Sequence, residues 1–250
     1  MASEHIIKSY DEELDRLKKI IVEMGGMAES QLAAAIEAVV KRDSDLAARV
    51  IEADDKVDQL ERDLDNLAVR LLALRQPMAR DLREVVAALK IASDLERICD
   101  YAANVAKRSI ALAQSPPIQP VHALPRMAQR ALLLVKDVID AYVERDPDKA
   151  LDVWNRDEDL DEMYSSLFRE FLTYMMEDPR NIGVYTHLLF MAKNIERIGD
   201  HATNIAEDLY YLVYGRPLDQ ARPKGDKSSL ELVGSDRSNE RVSGPSDERP

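Results

Sequence analysis

The sequence predicts an all-α protein built from two tandem three-helix bundles of long antiparallel helices, related by an internal repeat. Three observations lead to this class. The 250-residue chain is 46% hydrophobic but only 5% aromatic and has 8 glycines, a composition typical of long helices. Apolar residues recur at helical spacing through six segments separated by proline, glycine or a capping aspartate. A stretch in the first half of the chain is repeated 100 residues later.

The first half of the chain contains three predicted helices. Ser9 opens a serine-to-glutamate capping box, so the first helix is predicted to run from there to about Lys41. Asp43 is placed to cap the second helix, which should end before Pro77. The third helix is predicted to end before Pro116.

The second half repeats this order. A fourth helix is predicted after Pro125. Asp146-Pro147 predicts the start of the fifth helix, because aspartate caps a helix well and proline is favoured at the first helical position. The fifth helix should end at Asp178-Pro179, and the sixth should run from about Arg180 to Tyr214. Short turns between such long helices predict antiparallel bundles.

The two halves are copies of one unit. Residues 91–107, IASDLERICDYAANVAK, align with residues 191–207, MAKNIERIGDHATNIAE, at a shift of 100 positions. A period of this length is typical of a duplicated supersecondary unit. We therefore expect a first unit at residues 5–115, a second unit at residues 120–217, and a disordered tail at residues 222–250, which lacks helical periodicity.

Charge and composition exclude several classes of partner. The formal net charge of −13 disfavours binding to nucleic acid, because phosphate would be repelled. The single cysteine, Cys99, cannot form an intramolecular disulfide and fits a reducing compartment. Residues 1–30 lack the profile of a secretory signal, and no apolar run of about 18 residues is present. We expect a cytoplasmic protein that reaches a membrane only through partners.

Each half contains two acidic pairs with four-residue spacing, and a helix places each pair on one face. In the first half, Asp58 and Glu96 both lie 19 residues from Pro77, so they should stand at equal height in the hairpin. The pairs of the second half lie 18 and 17 residues from Pro179. The four pairs are Asp54/Asp58, Glu96/Asp100, Asp157/Asp161 and Glu196/Asp200.

These carboxylates lie beside the apolar stripes of their helices, and buried carboxylates need a compensating cation. An all-oxygen donor set, with Asn104 and Asn204 as further candidates, suits magnesium, calcium, manganese or iron rather than a thiolate zinc site. The alternative is a solvated acidic surface paired with lysine and arginine from neighbouring helices. The residues alone leave both alternatives open.

No catalytic site is expected. Ferritin-like di-iron enzymes need Glu-x-x-His, and no histidine of this chain has glutamate three residues before it. The sequence also contains no P-loop and no nucleophile elbow. A helical adaptor that binds partners but no metal is the remaining alternative.

Four segments carry a resemblance to a known family. Residues 196–207, their counterpart at 96–106, the turn at 77–83 and the stretch at 24–27 resemble the signature segments of the PhoU family. The resemblance covers roughly residues 5–217. It implies a negative regulator of the phosphate-starvation response, which connects the phosphate-specific ABC transporter to its sensor histidine kinase and restrains phosphate uptake. A metal-binding helical adaptor of another pathway is the alternative function.

The resemblance also implies partners and ligands. The chain would contact the ATPase subunit of the phosphate ABC transporter and the phosphate-sensing histidine kinase, and it would form a homodimer. The family's acidic motifs, which bind metal clusters in some members, correspond to the four pairs given above. They imply a divalent or trivalent metal, whether iron, manganese, magnesium or zinc. Two departures between the halves, Cys99 against Gly199 and Tyr101 against His201, imply a first site that is bulkier or differently tuned.

Overall fold

Six long helices account for nearly all of the described chain. The computed structural model describes residues 2–116, 123–220 and 222, and within these ranges it contains no strand. The helices are α1 (Ala2–Lys41), α2 (Ser44–Arg75), α3 (Arg80–Ala113), α4 (Ala123–Glu144), α5 (Pro147–Glu177) and α6 (Ile182–Tyr214), with a 3-10 turn at Pro179–Asn181 before α6. The predicted all-α class and internal repeat are confirmed.

The helices of each unit pack around one another, and the two units share one core. Helix α1 packs on α2 and α3, and α4 packs on α5 and α6. Contacts of α3 with α6 and of α1 with α4 join the units. Buried leucine, isoleucine, valine and alanine side chains from all six helices form a single hydrophobic cluster, in which Trp154 and Phe171 are the largest fully buried side chains. Burial of this apolar surface is the main term that stabilises the fold.

Helices α3 and α6 cross antiparallel at the seam between the units. At one end of the seam, Lys90 Nζ lies 2.8 Å from Asp208 Oδ1. At the other end, the Arg108 guanidinium lies over the Phe190 ring, 4.3 Å from its centroid. Position 90 corresponds to position 190 in the repeat, and position 108 to position 208. The two units are therefore related by an approximate twofold axis through the seam.

Capping aspartates begin the second helix of each unit, as the sequence predicts. Asp43 accepts a hydrogen bond of 2.9 Å from the backbone N–H of Leu46. Asp146 accepts two such bonds, of 2.9 and 3.1 Å, within the first turn that Pro147 opens. These bonds satisfy backbone donors that have no partner inside the helix.

Two predicted helix starts are wrong. Helix α1 begins at Ala2, so Ser9 lies inside the helix and not at its cap. Residues 2–8 contain neither glycine nor proline, and nothing in them interrupts the helix. Helix α4 begins at Ala123, which places Pro125 in the first turn. Proline is tolerated there because the first N–H groups of a helix have no intrahelical partner to lose.

Two further observations concern the ends of the chain and the membrane. Of the predicted disordered tail, residues 223–250 lie outside the described residues, whereas Arg222 is described. No helix in the described ranges combines the length and the apolar character needed to cross a lipid bilayer.

Candidate functional site

The predicted carboxylates lie near the middle of the α2–α3 and α5–α6 hairpins. We call the set in the first unit the first acidic cluster: Asp54, Asp58, Glu96 and Asp100. The set in the second unit is the second acidic cluster: Asp157, Asp161, Glu196 and Asp200. Each cluster takes two residues from each helix of its hairpin, as the spacing from the hairpin prolines predicts.

Carboxylates from both helices of the first hairpin influence one another. Burial raises the pKa of Asp54 on α2 to about 6, and the negative charges of Asp100 and Asp58 add to this effect. Burial also raises the pKa of Glu96 on α3 to about 7, with Asp100 acting in the same direction and Arg97 opposing it. The hairpin therefore brings the predicted residues of the first unit close enough to interact.

Two surface arginines partly neutralise the first cluster. Arg97 donates a hydrogen bond of 3.0 Å to Asp100 and lies 3.6 Å from Glu96. Arg62 lies 3.8 Å from Asp58. The Arg97 side chain is 55% exposed, so water screens these ion pairs. In this respect the first cluster matches the alternative of an acidic surface paired with basic side chains.

The second cluster is much more deeply buried. Asp157, Asp161 and Glu196 retain only 1%, 4% and 4% of their accessible surface, whereas Asp200 is half-exposed. Burial raises the pKa of Asp157 to about 6, against the opposing charge of Arg222. Burial likewise raises the pKa of Glu196 to about 7, although Lys193 donates a hydrogen bond of 2.8 Å to it. Ionised carboxylates in such a place require nearby positive charge.

Gly199 allows the second hairpin to close tightly around Asp157. A Cβ atom at this position would overlap the Asp157 carboxylate and the Leu160 side chain. The equivalent residue of the first unit is Cys99, which is fully buried. Burial, and then the charge of Asp54, raises the pKa of the Cys99 thiol. The glycine explains in part why Asp157 is buried while Asp54, its counterpart in the repeat, is only half-buried.

Arg222 enters the second cluster from outside the helices. Its guanidinium donates to Asp157 on α5 and lies 2.7 Å from Asp200 Oδ1 on α6. One nitrogen atom of Arg222 makes both contacts, which shows that carboxylates of the two helices converge. Sequence reasoning missed this residue, because it lies in an aperiodic segment and pairs with side chains 65 and 22 positions away.

The donor atoms of the second cluster fit a hard cation. Asp157 Oδ1 and Glu196 Oε2 are buried without a hydrogen-bond partner, and such atoms ordinarily have one. Within residues 2–116, 123–220 and 222, no three Asp, Glu, His or Cys side chains converge in a geometry that holds a metal ion. Binding of an ion by either cluster would therefore require carboxylates to rotate toward a common point. Metal binding by the eight carboxylates stays a prediction.

Asn204, one of the two asparagines proposed as further ligands, belongs to a different site. Asn204 donates a hydrogen bond of 3.2 Å to Asp94 at the seam between the units, rather than to the second cluster. His201 Nδ1 also lies 2.6 Å from Asp94, and the His201 ring packs at 5.6 Å from the Tyr101 ring. Tyr101 and His201, which differ between the halves, therefore both lie in the contact between the units.

The duplicated bundle, with one acidic cluster per hairpin, defines a class of two-unit, all-helical proteins. A model of the PhoU domain matches this chain twice, over residues 21–109 and 124–209. The chain belongs to the PhoU family.

Known relatives agree with this assignment over almost the whole chain. The "phosphate-specific transport system accessory protein PhoU homolog" of Caulobacter vibrioides (strain NA1000 / CB15N) is 50% identical over 225 residues, which cover 90% of this chain and 98% of the relative. The protein of the same name from Rhizobium meliloti (strain 1021) is 50% identical over 230 residues, covering 92% and 97%.

Two crystal structures have the same fold. PhoU from Pseudomonas aeruginosa superposes with a TM-score of 0.80 at 39% identity, covering 83% of this chain and all of that one (100%). The phosphate transport system regulatory protein PhoU from Streptococcus pneumoniae gives 0.78 at 29% identity, covering 84% and 100%. The Caulobacter and Rhizobium relatives are named as accessory proteins and the Streptococcus protein as a regulatory protein, in agreement with the expected lack of catalytic function.

Proposed function

We propose that this chain is the accessory protein of a phosphate-specific transport system, and that it acts as a negative regulator of the phosphate-starvation response. The observation that carries the proposal is its 50% identity, over 98% of their length, to relatives named as phosphate-specific transport system accessory proteins. Resemblance at this level across both units makes a shared cellular role the simplest reading. We therefore expect loss of this chain to alter the phosphate-starvation response.

The proposed mechanism is a signalling bridge in the cytoplasm. The chain contacts the ATPase subunit of the phosphate ABC transporter and the phosphate-sensing histidine kinase, and it favours the inactive state of the kinase when phosphate is plentiful. Helices α2, α3, α5 and α6 have 31 to 34 residues each. At 1.5 Å per residue they are about 45–50 Å long, which is enough to present separate surfaces to two partners. The protein acts as a homodimer.

We further propose that the acidic clusters bind a divalent or trivalent metal ion, whether iron, manganese, magnesium or zinc. The support is the oxygen-only donor set, the two unpartnered carboxylate oxygens and the raised pKa values of Glu96 and Glu196. A bound cation would favour the ionised carboxylates and tie the two helices of each hairpin together.

A phosphatase reporter of the phosphate-starvation response tests the regulatory role. In phosphate-rich medium, deletion of the gene should give high constitutive expression, and the intact gene should restore repression. Glu196→Gln/Asp200→Asn then tests the second cluster. The matched control is Glu158→Gln/Glu162→Gln, which alters two exposed acids at the same spacing on α5. Unchanged expression on deletion contradicts the regulatory proposal and leaves an adaptor of another pathway.

Three measurements on the purified protein test the remaining parts. Elemental analysis should find metal in the intact protein and less in Glu196→Gln/Asp200→Asn, whereas a pure scaffold would contain none in either. Light scattering should give twice the chain mass of 28.3 kDa. Co-purification with the transporter ATPase and with the cytoplasmic part of the kinase tests the partners, and failure to bind either one contradicts the bridge.

A further inference from the structure

The chain that follows α6 turns back along the helix it has just left. Gly215 ends α6 with a φ of 71°, and its N–H donates a 2.8 Å hydrogen bond to Tyr211 O. A left-handed residue at this place reverses the chain direction, and glycine adopts it without strain. Leu218, three residues later, packs against the core. We call residues 215–220 together with Arg222 the C-terminal strap.

The length of the strap matches the position of the second cluster. Asp200 lies 14 residues before Tyr214 in α6, which is about 21 Å along the helix. Arg222 lies 8 residues after Tyr214, and 8 extended residues span at most about 26–29 Å. The strap is therefore long enough to bring Arg222 to Asp200, and the guanidinium at its end contacts the cluster there.

That guanidinium satisfies only part of the second cluster. Arg222 is 16% exposed at its side chain and contacts Asp157 Oδ2 and Asp200 Oδ1. Asp157 Oδ1 and Glu196 Oε2, both buried, gain no hydrogen bond from it. The first cluster differs, because its arginine contacts come from Arg97 and Arg62 on its own helices.

We propose that Arg222 is an internal cation that competes with metal for the second acidic cluster, so that metal binding there releases the C-terminal strap. This inference rests on the proposed metal binding by the clusters. An ion in the second cluster needs the oxygens of Asp157 and Asp200 that Arg222 contacts, and two cations a few Å apart repel each other. The ion also gains the two unpartnered oxygens, which gives it an advantage over the guanidinium.

The proposal makes the two clusters unequal. The first cluster loses only solvent-screened pairs when an ion binds, whereas the second must displace a largely buried guanidinium together with the strap that carries it. The strap therefore leaves its place only at metal concentrations above those that load the first cluster. Its release uncovers the surface of α5 and α6 around Asp157 and Asp200.

Manganese titration of the metal-free, full-length protein tests the competition, with free Mn²⁺ measured by electron paramagnetic resonance. The intact protein should show a tighter and a weaker class of sites. The weaker class should disappear in Asp157→Asn/Asp161→Asn. In Arg222→Ala the weaker class should bind Mn²⁺ at least about tenfold more tightly. The state with the strap released is fully populated in this variant, whereas in the intact protein it makes up about 10% or less. The tighter class should not change.

Arg216→Ala is the matched control, since it removes an exposed arginine from the same strap and should leave both classes unchanged. Helical circular dichroism confirms that each variant is folded. Equal binding of Mn²⁺ by the second cluster in Arg222→Ala and in the intact protein overturns the competition, while the metal proposal stands. No binding by either protein overturns both proposals.

Amide hydrogen exchange gives a readout that does not depend on affinity. Saturating Mn²⁺ should speed exchange in the C-terminal strap of the intact protein, most visibly at Gly215, whose N–H donates to Tyr211 O, because the strap leaves α6. In Arg222→Ala, exchange in this segment should be fast already without metal and should not change when metal is added. Slow exchange that Mn²⁺ leaves unaltered in the intact protein contradicts the release of the strap.

Discussion

Gly199 determines how closely α5 and α6 approach at the second cluster. In Gly199→Ala, the new Cβ atom meets Asp157 and Leu160, so the hairpin must open or a buried carboxylate must move. We expect a loss of about 1–3 kcal/mol in the free energy of unfolding, measured by urea denaturation. Gly26→Ala is the control: Gly26 lies in mid-α1 with nothing within 4 Å of an added Cβ. It should be neutral or stabilise by up to about 1 kcal/mol, as helix propensity predicts. If Gly199→Ala leaves the free energy of unfolding unchanged, the hairpin is not tightly closed there.

The same residues show what a sequence pattern can and cannot predict at this scale. Asp157 and Glu196 were predictable because the repeat and the hairpin prolines fix their height and face. Their greater burial relative to the first cluster was not, because it depends on a missing Cβ at Gly199 and on a tertiary contact from Arg222. The close approach of two helices produces no periodic pattern in the sequence. The place where an aperiodic segment makes its contact produces none either.

At the scale of the helix, the capping aspartates are expected to contribute measurably to stability. Asp146→Ala removes two hydrogen bonds to first-turn N–H groups, and Asp43→Ala removes one. Each substitution should lower the free energy of unfolding by about 0.5–2 kcal/mol, with Asp146→Ala at the upper end. Asp45→Ala, in the first turn of α2 but not at its cap, is the comparison. It should cost less than either, and an equal cost for all three would mean that charge near the helix start matters more than the cap.

Helix ends were predictable wherever one residue type dictates the backbone. Proline at positions 77, 116 and 179 and aspartate at positions 43 and 146 marked boundaries within a few residues of those observed. Ser9 was misleading because a capping residue can also lie inside a helix when the preceding residues continue it. Pro125 was misleading for a related reason, since proline fits equally well at a helix start and just before one.

For the molecule as a whole, the raised carboxyl pKa values predict a stability that falls as pH rises. In the folded protein, Glu96 and Glu196 have pKa values of about 7, against an ordinary value of 4.5. Between these values the folded state holds protons that the unfolded state has released. This contribution to stability is fully present below pH 4.5 and is lost as pH rises through about 7. The metal-free protein should therefore melt at least about 4 °C lower at pH 8 than at pH 5.5.

Thermal unfolding followed by circular dichroism in the presence of a chelator measures this effect. Glu96→Gln/Glu196→Gln should flatten the dependence on pH, because the amides cannot ionise. Glu52→Gln/Glu158→Gln removes the same formal charge from exposed positions and should keep most of the slope. If both double variants behave alike, the slope arises from the overall net charge of −13 and not from the clusters.

The two ends of the antiparallel seam of α3 and α6 have different contacts, although the halves of the chain are copies of one unit. If two identical units met through this twofold contact, every residue in it would have to suit both copies. Two copies within one chain are free of that constraint, because they need not be identical. Lys90 faces Asp208 at one end of the seam. Phe190, which is equivalent to Lys90 in the repeat, faces Arg108 at the other end. Within one chain, each half can therefore differ from the other at the seam while the two still pack together.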